Sequence, residues 1–303
     1  LNSSTYGPHL CMTRTFSHTY LNADGTIFNE KNEDGSYKTF VEETTGRDYR
    51  LNQVIRGADY TRLNMQGKYE ATAANFTGHT LTGYQLTKWV YDDASYDDQS
   101  SGTYDTPLFR YAEILLIYAE AKAETGKMDN DVWKKTIGAL RARAGITGGL
   151  DAVPTVKDPL LVKYYGDLSI PVLEVRRERA IELIMEGHRL LDLKRWKCGH
   201  LWDYTNGMPW DGIFVPELEK PLDINGDGVL DVYFAKDTST VPEEYKGLAK
   251  DYDEAPYQMI PVEGGYIMNY DHTSRIWNDN MYLYPVPQQC FVLNPNLDQN
   301  PGW

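Results

Sequence analysis

No run of about 20 apolar residues occurs in the sequence, so a membrane-spanning helix is not expected. A dense Lys/Arg stripe is missing too, and the formal net charge is −14. Nucleic-acid binders neutralise phosphates with a basic footprint, so that class of partner is excluded. Cysteine is scarce: Cys11, Cys198 and Cys290 are odd in number, fit no metal or redox spacing and read as isolated thiols. No initiating Met and no secretory leader precede LNSSTYG, from which a missing true N-terminus is expected. The SxxK, GxSxG and HExxH arrangements of serine acyl-enzymes and zinc proteases do not occur.

What is present is enough for a sizeable core. The chain has 303 residues, 41% of them apolar and 13% aromatic, which suits one large or two modest globular domains. Three textures follow one another. Residues 1–107 are rich in Gly, Thr, Asn, Asp and Tyr and read as loops and short strands. Asp24-Gly25, between FSHTYLNA and TIF, predicts a hairpin, LTGYQLTKWVY a strand, and SYDDQSSGTYDTP a solvated loop.

Residues 108–200 are helical. Leu108, Ala112, Leu115, Leu116, Ala119 and Ala123 recur at helical spacing, and so do Val132, Ile137 and Leu140 after a Gly-containing turn, with Gly145 as the closing C′ residue. This pattern predicts a helical hairpin whose small residues allow close approach, of the tetratricopeptide kind. A stable array of such hairpins needs about three units, so the others are expected upstream. A long helix is predicted from Ser169, with Pro171 in its first turn, through VLEVRRERAIELIMEGHRLLDLKRWK. Along it Arg179 with Glu182, Glu186 with Arg189 and Asp192 with Arg195 stand at pairing distance. Glu178, Glu182 and Glu186 are conceivable catalytic acids, but each has a cation close by, so ion pairing to neighbouring helices is the preferred reading. His188 has no partner at metal-ligand spacing and reads as structural.

Residues 201–303 are loop-rich. Trp202, Tyr204 and Trp210 crowd together with Gly and Asn, and such aromatics either stack on sugar rings or anchor a long loop. Tyr84 and Trp277 are reserve candidates for the same face. DINGDGVLD places Asp223, Asn225 and Asp227 at positions 1, 3 and 5 of a calcium loop, Gly228 at the sharp turn, the Val229 carbonyl at position 7 and Asp231 at position 9. Hard oxygen donors with three carboxylates suit a structural Ca2+, and the alternative is a cluster of Asx turns without metal. Position 12 is Phe234, so the loop is not an EF-hand. At the end, Tyr284-Pro285-Val286-Pro287 predicts extended backbone, and Asn300-Pro301-Gly302 a type II turn that folds Trp303 back onto the body.

RYAEILLIYAEAKAE, RRERAIELIMEGHRLLDLKRWK and YLYPVPQQCFVLNPNLDQNPGW, in this order, resemble the C-terminal half of the SusD/RagB family of outer-membrane nutrient-binding lipoproteins. SHTYLNADGTIF looks like a fourth matching motif, and NPNLDQNPGW looks like the family's natural C-terminus. The resemblance implies a mainly α fold of tetratricopeptide-like hairpins, a long helix, extensive loops and short hairpins, with residues 1–303 as the C-terminal portion. It also implies a non-catalytic, lipid-anchored cell-surface protein that passes oligosaccharides to a SusC-like TonB-dependent transporter. The lipidated cysteine would lie in the half that this chain lacks. Two alternatives stand beside it: a glycoside hydrolase, which needs two carboxylates roughly 5–10 Å apart, and a helical interaction scaffold.

Overall fold

The computed structural model describes residues 10–76, 78–97, 105, 107–203, 207–253, 258–270 and 275–303. Strand β1 (Cys11–Met12) leads into helix α1 (Arg14–Ser17), capped by the Thr13 hydroxyl on the Phe16 amide. The predicted hairpin at Asp24-Gly25 does not form. Its first arm only begins in this helix, and Asn22 bridges to Arg47; a tight turn is nevertheless closed at Asp24-Gly25 by the Asn22 amide on the Thr26 carbonyl, with the Asp24 carboxylate holding the Thr26 amide. Helix α2 (Phe40–Thr44) carries a capping box between Thr39 and Glu42, and α3 (Tyr49–Val54) starts from the Asp48 carboxylate. Strands β2 (Thr61–Leu63) and β3 (Tyr69–Ala71) form an antiparallel ribbon. Only Tyr84–Gln85 (β4) of the predicted strand LTGYQLTKWVY pairs as a strand, with β1. Its neighbour Leu86 bridges to Ile55, and Trp89 is left-handed.

The helical hairpin is present as predicted. Helix α4 (Tyr111–Glu124) ends in a Schellman motif, in which Lys127 N–H bonds the Lys122 carbonyl and Gly126 N–H bonds that of Ala123. The Asp129 carboxylate caps α5 (Asn130–Trp133), which continues through a π turn (Lys134–Gly138) into α6 (Ala139–Arg143). Gly145 closes this arm in the same way, as expected, with Ile146 N–H on the Arg141 carbonyl. Ala119, Ala123, Trp133 and Ile137 pack together with Val172 and Val175 of the next long helix. Leu108, by contrast, is exposed.

After α7 (Pro159–Tyr165) comes α8 (Ile170–Glu182), with Pro171 in its first turn. The single long helix expected here is broken. Residues 183–187 turn, with Met185 and Gly187 both left-handed, and α9 (His188–Arg195) begins after them. Three remote side chains take over the carbonyls that the missing turn of helix would have satisfied. Arg110 donates to the Glu182 carbonyl, the Lys88 ammonium to Ile184 and the Trp89 indole to Met185.

The last third contains more sheet than expected. Strand β5 (Asp211–Val215), with β6 (Pro221–Leu222), β7 (Val232–Ala235), β8 (Ala249–Asp251), β9 (Gln258–Val262) and β10 (Gly265–Asn269), makes two three-stranded sheets of order β5-β10-β9 and β6-β7-β8. All four residues of β7 are buried, and it pairs antiparallel with β6 and parallel with β8. Ile213, Val215, Val232, Phe234 and Met268 meet Tyr20, Phe40, Leu51, Tyr84 and Ile181 of α8 in the main core. Helix α10 (Gln288–Leu293), which the sequence pattern does not announce, follows the extended Tyr284–Pro287 stretch. The C-terminal turn forms as predicted. Trp303 N–H bonds the Asn300 carbonyl, and the indole donates to the carbonyls of Asn280 and Leu283.

Candidate functional site

Immediately after α9 the chain turns through a 3-10 segment, Gly199–Trp202, whose first residue has no room for a side chain. A Cβ on Gly199 would lie 1.9 Å from the Trp277 ring, so glycine is what lets the indole lie flat against the backbone. The Gly199 amide donates to the Tyr282 hydroxyl at 2.9 Å, and the Trp277 amide to the Asp203 carboxylate at 3.3 Å. Trp202 meets Trp210 edge to face at 5.7 Å, and Trp210 stacks with Tyr270 at 6.1 Å and an interplanar angle of 19°. The guanidinium of buried Arg275 lies 3.9 Å from the Trp210 ring centre.

Trp202, Trp210 and Trp277 are thus gathered around one loop, as the sequence suggested. Tyr204 lies outside the described residues. Tyr84 is a correction: it is fully buried in the main core, packed on Phe40, with its hydroxyl on the Glu43 carboxylate. As a β4 residue paired with β1 it is enclosed by the core and offers no ring face to a ligand. Tyr270 and Arg275, which complete the stack, escape a reading of the sequence alone. The tyrosine one residue beyond β10 and the arginine two residues before Trp277 carried the available signal.

The geometry divides labour between the two indoles. Trp210 is held by Arg275, Tyr270 and Trp202, whereas Trp202 is 48% exposed and offers a ring to solvent. A fixed aromatic platform beside a carboxylate and a guanidinium is suited to an apolar ring face edged with hydroxyls.

The carboxylates of α8 are committed elsewhere. Glu178 is fully buried between Arg50 at 3.0 Å and Arg141 at 2.6 Å. Glu182 collects Arg50, Arg110 and Arg143, and Glu186 takes Lys88 and Arg110. Burial pushes the Glu182 carboxyl up, but the hydrogen bonds from Arg143 and Arg110 outweigh it and bring the pKa down to about 2. Of the three pairs read from helical spacing, Asp192 with Arg195 forms, while Arg179 turns to Asp192 and Arg189 to the Tyr165 hydroxyl. His188 sits 3.8 Å from Glu113.

In the 223–231 loop, Gly228 has φ +86°, and the Asp223 carboxylate holds the amides of Gly226 and Gly228 at 2.7 and 2.8 Å. Asn225 donates to Asp227, whose other oxygen accepts the Val229 amide, and Asp231 accepts the Ile224 amide at 2.7 Å. Burial, with Asp227 and Asp223 nearby, pushes the Asp231 carboxyl up to about 6. The donor set is all hard oxygen and fits Ca2+ chemically. As placed, these oxygens serve the loop's own amides. Among the described residues no three His, Cys, Asp or Glu side chains form a metal-holding group.

The SusD family model matches residues 2–303. This chain belongs to the SusD family. Among solved structures, a SusD-like protein from Bacteroides fragilis NCTC 9343 is 22% identical with a TM-score of 0.60, covering 100% of this chain and 49% of its own. A SusD-like carbohydrate binding protein from the same strain is 21% identical with a TM-score of 0.53, covering 96% of this chain and 51% of its own. The chain therefore spans about half the length of these structures, and the likeness concerns the fold. No curated protein matches it. Among the described residues no helix is long and apolar enough to cross a membrane.

Proposed function

We propose that this SusD-family chain is the glycan-contacting part of a non-catalytic, cell-surface nutrient-binding protein. It captures oligosaccharides and hands them to a SusC-like TonB-dependent transporter at the outer membrane, where a lipid on an N-terminal cysteine absent from this chain holds the protein. The observation that supports this reading best is the half-exposed Trp202 ring, seated on the Trp210, Tyr270 and Arg275 stack beside Trp277 and Asp203. A sugar lies on Trp202 while Asp203 supplies a hydrogen bond at its rim. The ion pairs of Glu178, Glu182 and Glu186 favour binding over hydrolysis, because a carboxylate held by two or three cations is a poor general acid. The Ala-rich hairpin is a tetratricopeptide-like unit of the supporting scaffold.

Trp202→Ala is expected to lower affinity for an oligosaccharide hit from a glycan array by roughly tenfold, about 1.4 kcal/mol, with the melting temperature unchanged. Release of reducing ends from that oligosaccharide would favour the hydrolase reading. Failure to bind any glycan on the array would favour the scaffold.

We further propose that Asp223, Asn225, Asp227, Asp231 and the Val229 carbonyl hold a structural Ca2+. Calcium supplies a cross-link where loop residues have few apolar contacts, and its binding to the folded state raises stability by mass action, about 2.7 kcal/mol at a hundredfold excess over Kd. Chelation is expected to lower the melting temperature, calcium to restore it, and Asp227→Ala to abolish the response. Equilibrium dialysis at millimolar Ca2+ without bound metal would remove the site.

A further inference from the structure

The break between α8 and α9 lines an open cavity of about 450 Å3, within the range of small-ligand sites, roughly 300–1,000 Å3. Val54 of α3, Ile181 of α8 and Ile184 of the break give it an apolar side, and the rest of its lining is charged. There one carboxylate, Glu182, meets three guanidinium groups, Arg50 at 3.0 Å, Arg110 at 2.5 Å and Arg143 at 2.6 Å. Arg50 is met again by Asp48 and Glu178, and Arg110 by Glu186, which also takes Lys88. Arg143 has no second carboxylate among the described residues. Its side chain is 53% exposed, it reaches Glu182 through Nη2 alone, and its Nε and Nη1 have no hydrogen-bond partner among the described residues. Cations thus outnumber carboxylates in this lining, four to two, in a chain whose net charge is −14. A cavity of opposite sign to its own protein draws anions.

The remaining polar groups suit a ring with hydroxyls. Tyr49 and Gln53, four residues apart, share one face of α3 and line the same cavity. Tyr49 is 59% exposed, and neither its hydroxyl nor the Gln53 side-chain amide has a hydrogen-bond partner among the described residues. Trp89 lines the cavity too, with left-handed backbone at φ +68°, and its indole donates to the carbonyl of Met185, left-handed at +58°. That conformation is unfavourable for a residue with a side chain, and such strain collects at ligand sites.

We infer that this cavity is a second ligand site, for a carboxylate-bearing sugar of the uronic acid class. The sugar's carboxylate pairs with the open nitrogens of Arg143, its hydroxyls with the Gln53 amide and the Tyr49 hydroxyl, and its ring face lies on Tyr49. A bare anion such as phosphate would use Arg143 and leave Tyr49 and Gln53 idle, so an acid carried on a ring is the better match. The site shares no residue with the Trp202 platform and does not depend on it.

Isothermal titration of the whole protein with digalacturonate, with the neutral digalactoside and with inorganic phosphate tests the assignment. Digalacturonate is expected to bind saturably and more weakly as salt rises, because the Arg143 contact is half exposed. Arg143→Gln and Tyr49→Ala should each weaken that binding roughly tenfold, while Trp202→Ala leaves it unchanged. Arg143→Gln keeps Glu182 between Arg50 and Arg110, and Tyr49→Ala removes no ion pair, so circular dichroism should show both variants folded. Equal affinity for the acidic and the neutral disaccharide would overturn the inference, and so would phosphate bound as tightly as digalacturonate. Affinity untouched by Tyr49→Ala, or lost in Trp202→Ala, would overturn it as well, the latter by placing the acid on the Trp202 platform. No saturable heat at millimolar digalacturonate would remove the site.

Discussion

Glu182 shows how a charged residue becomes part of a protein interior. Its side chain is 2% exposed and is reached by Arg50 from α3, Arg110 from the start of α4 and Arg143 from the end of α6. One carboxylate therefore fastens three elements to α8, and its neighbour Glu178 does the same for Arg50 and Arg141. The folded pKa of about 2 lies below the ordinary 4.5, so the stabilisation is complete above about pH 4.5 and is lost as pH falls towards 2. Its size is on the order of 3 kcal/mol. Urea unfolding of the wild type and Glu182→Gln should differ by about that amount at pH 7, and the gap should close between about pH 4.5 and pH 2.5. A constant gap over that range would show that the carboxylate's charge contributes nothing. The general reading of these charges was legible in the sequence, because acids and bases alternate at helical spacing. The partners were not, since Arg50, Arg110 and Arg143 come from segments that only tertiary packing brings together. Tyr84 is hard to place from sequence for a related reason: a two-residue strand has too short an alternation to reveal which side is core.

At the scale of elements, the clearest sequence signals belong to the hairpin of α4 with α5 and α6, where small residues recur at helical spacing and Gly126 and Gly145 stop both arms. The break between α8 and α9 is invisible in the sequence for a physical reason. Nothing in LIMEGHR forbids a helix outright, and the turn is stabilised by Lys88, Trp89 and Arg110 acting on the freed carbonyls. Gly187, at φ +84° and with no atom within 4 Å of the position a Cβ would take, supplies the left-handed entry to α9. Gly187→Ala therefore meets backbone strain without a steric clash and should cost about 1–2 kcal/mol in chemical denaturation. A stability unchanged or raised would mean that the two helices merge in solution.

Over the whole molecule, a helical middle carries loop and sheet regions on both sides, and the aromatic loop emerges where α9 ends. That loop was legible as a crowd of tryptophans in one stretch of chain, but its rigidity was not, because Tyr270, Arg275 and Trp277 reach it from a segment far downstream. The same separation explains why Trp210 reads as ligand-facing in sequence and as a supporting ring in the structure. The exposed Trp202 ring is the surface proposed to bind glycan. Isothermal titration of the wild type and Trp202→Ala with the strongest oligosaccharide from a glycan array tests it most directly. Saturable binding without turnover is expected for the wild type and a roughly tenfold weaker Kd for the variant, with circular dichroism unchanged. Equal affinity for the two proteins would contradict it.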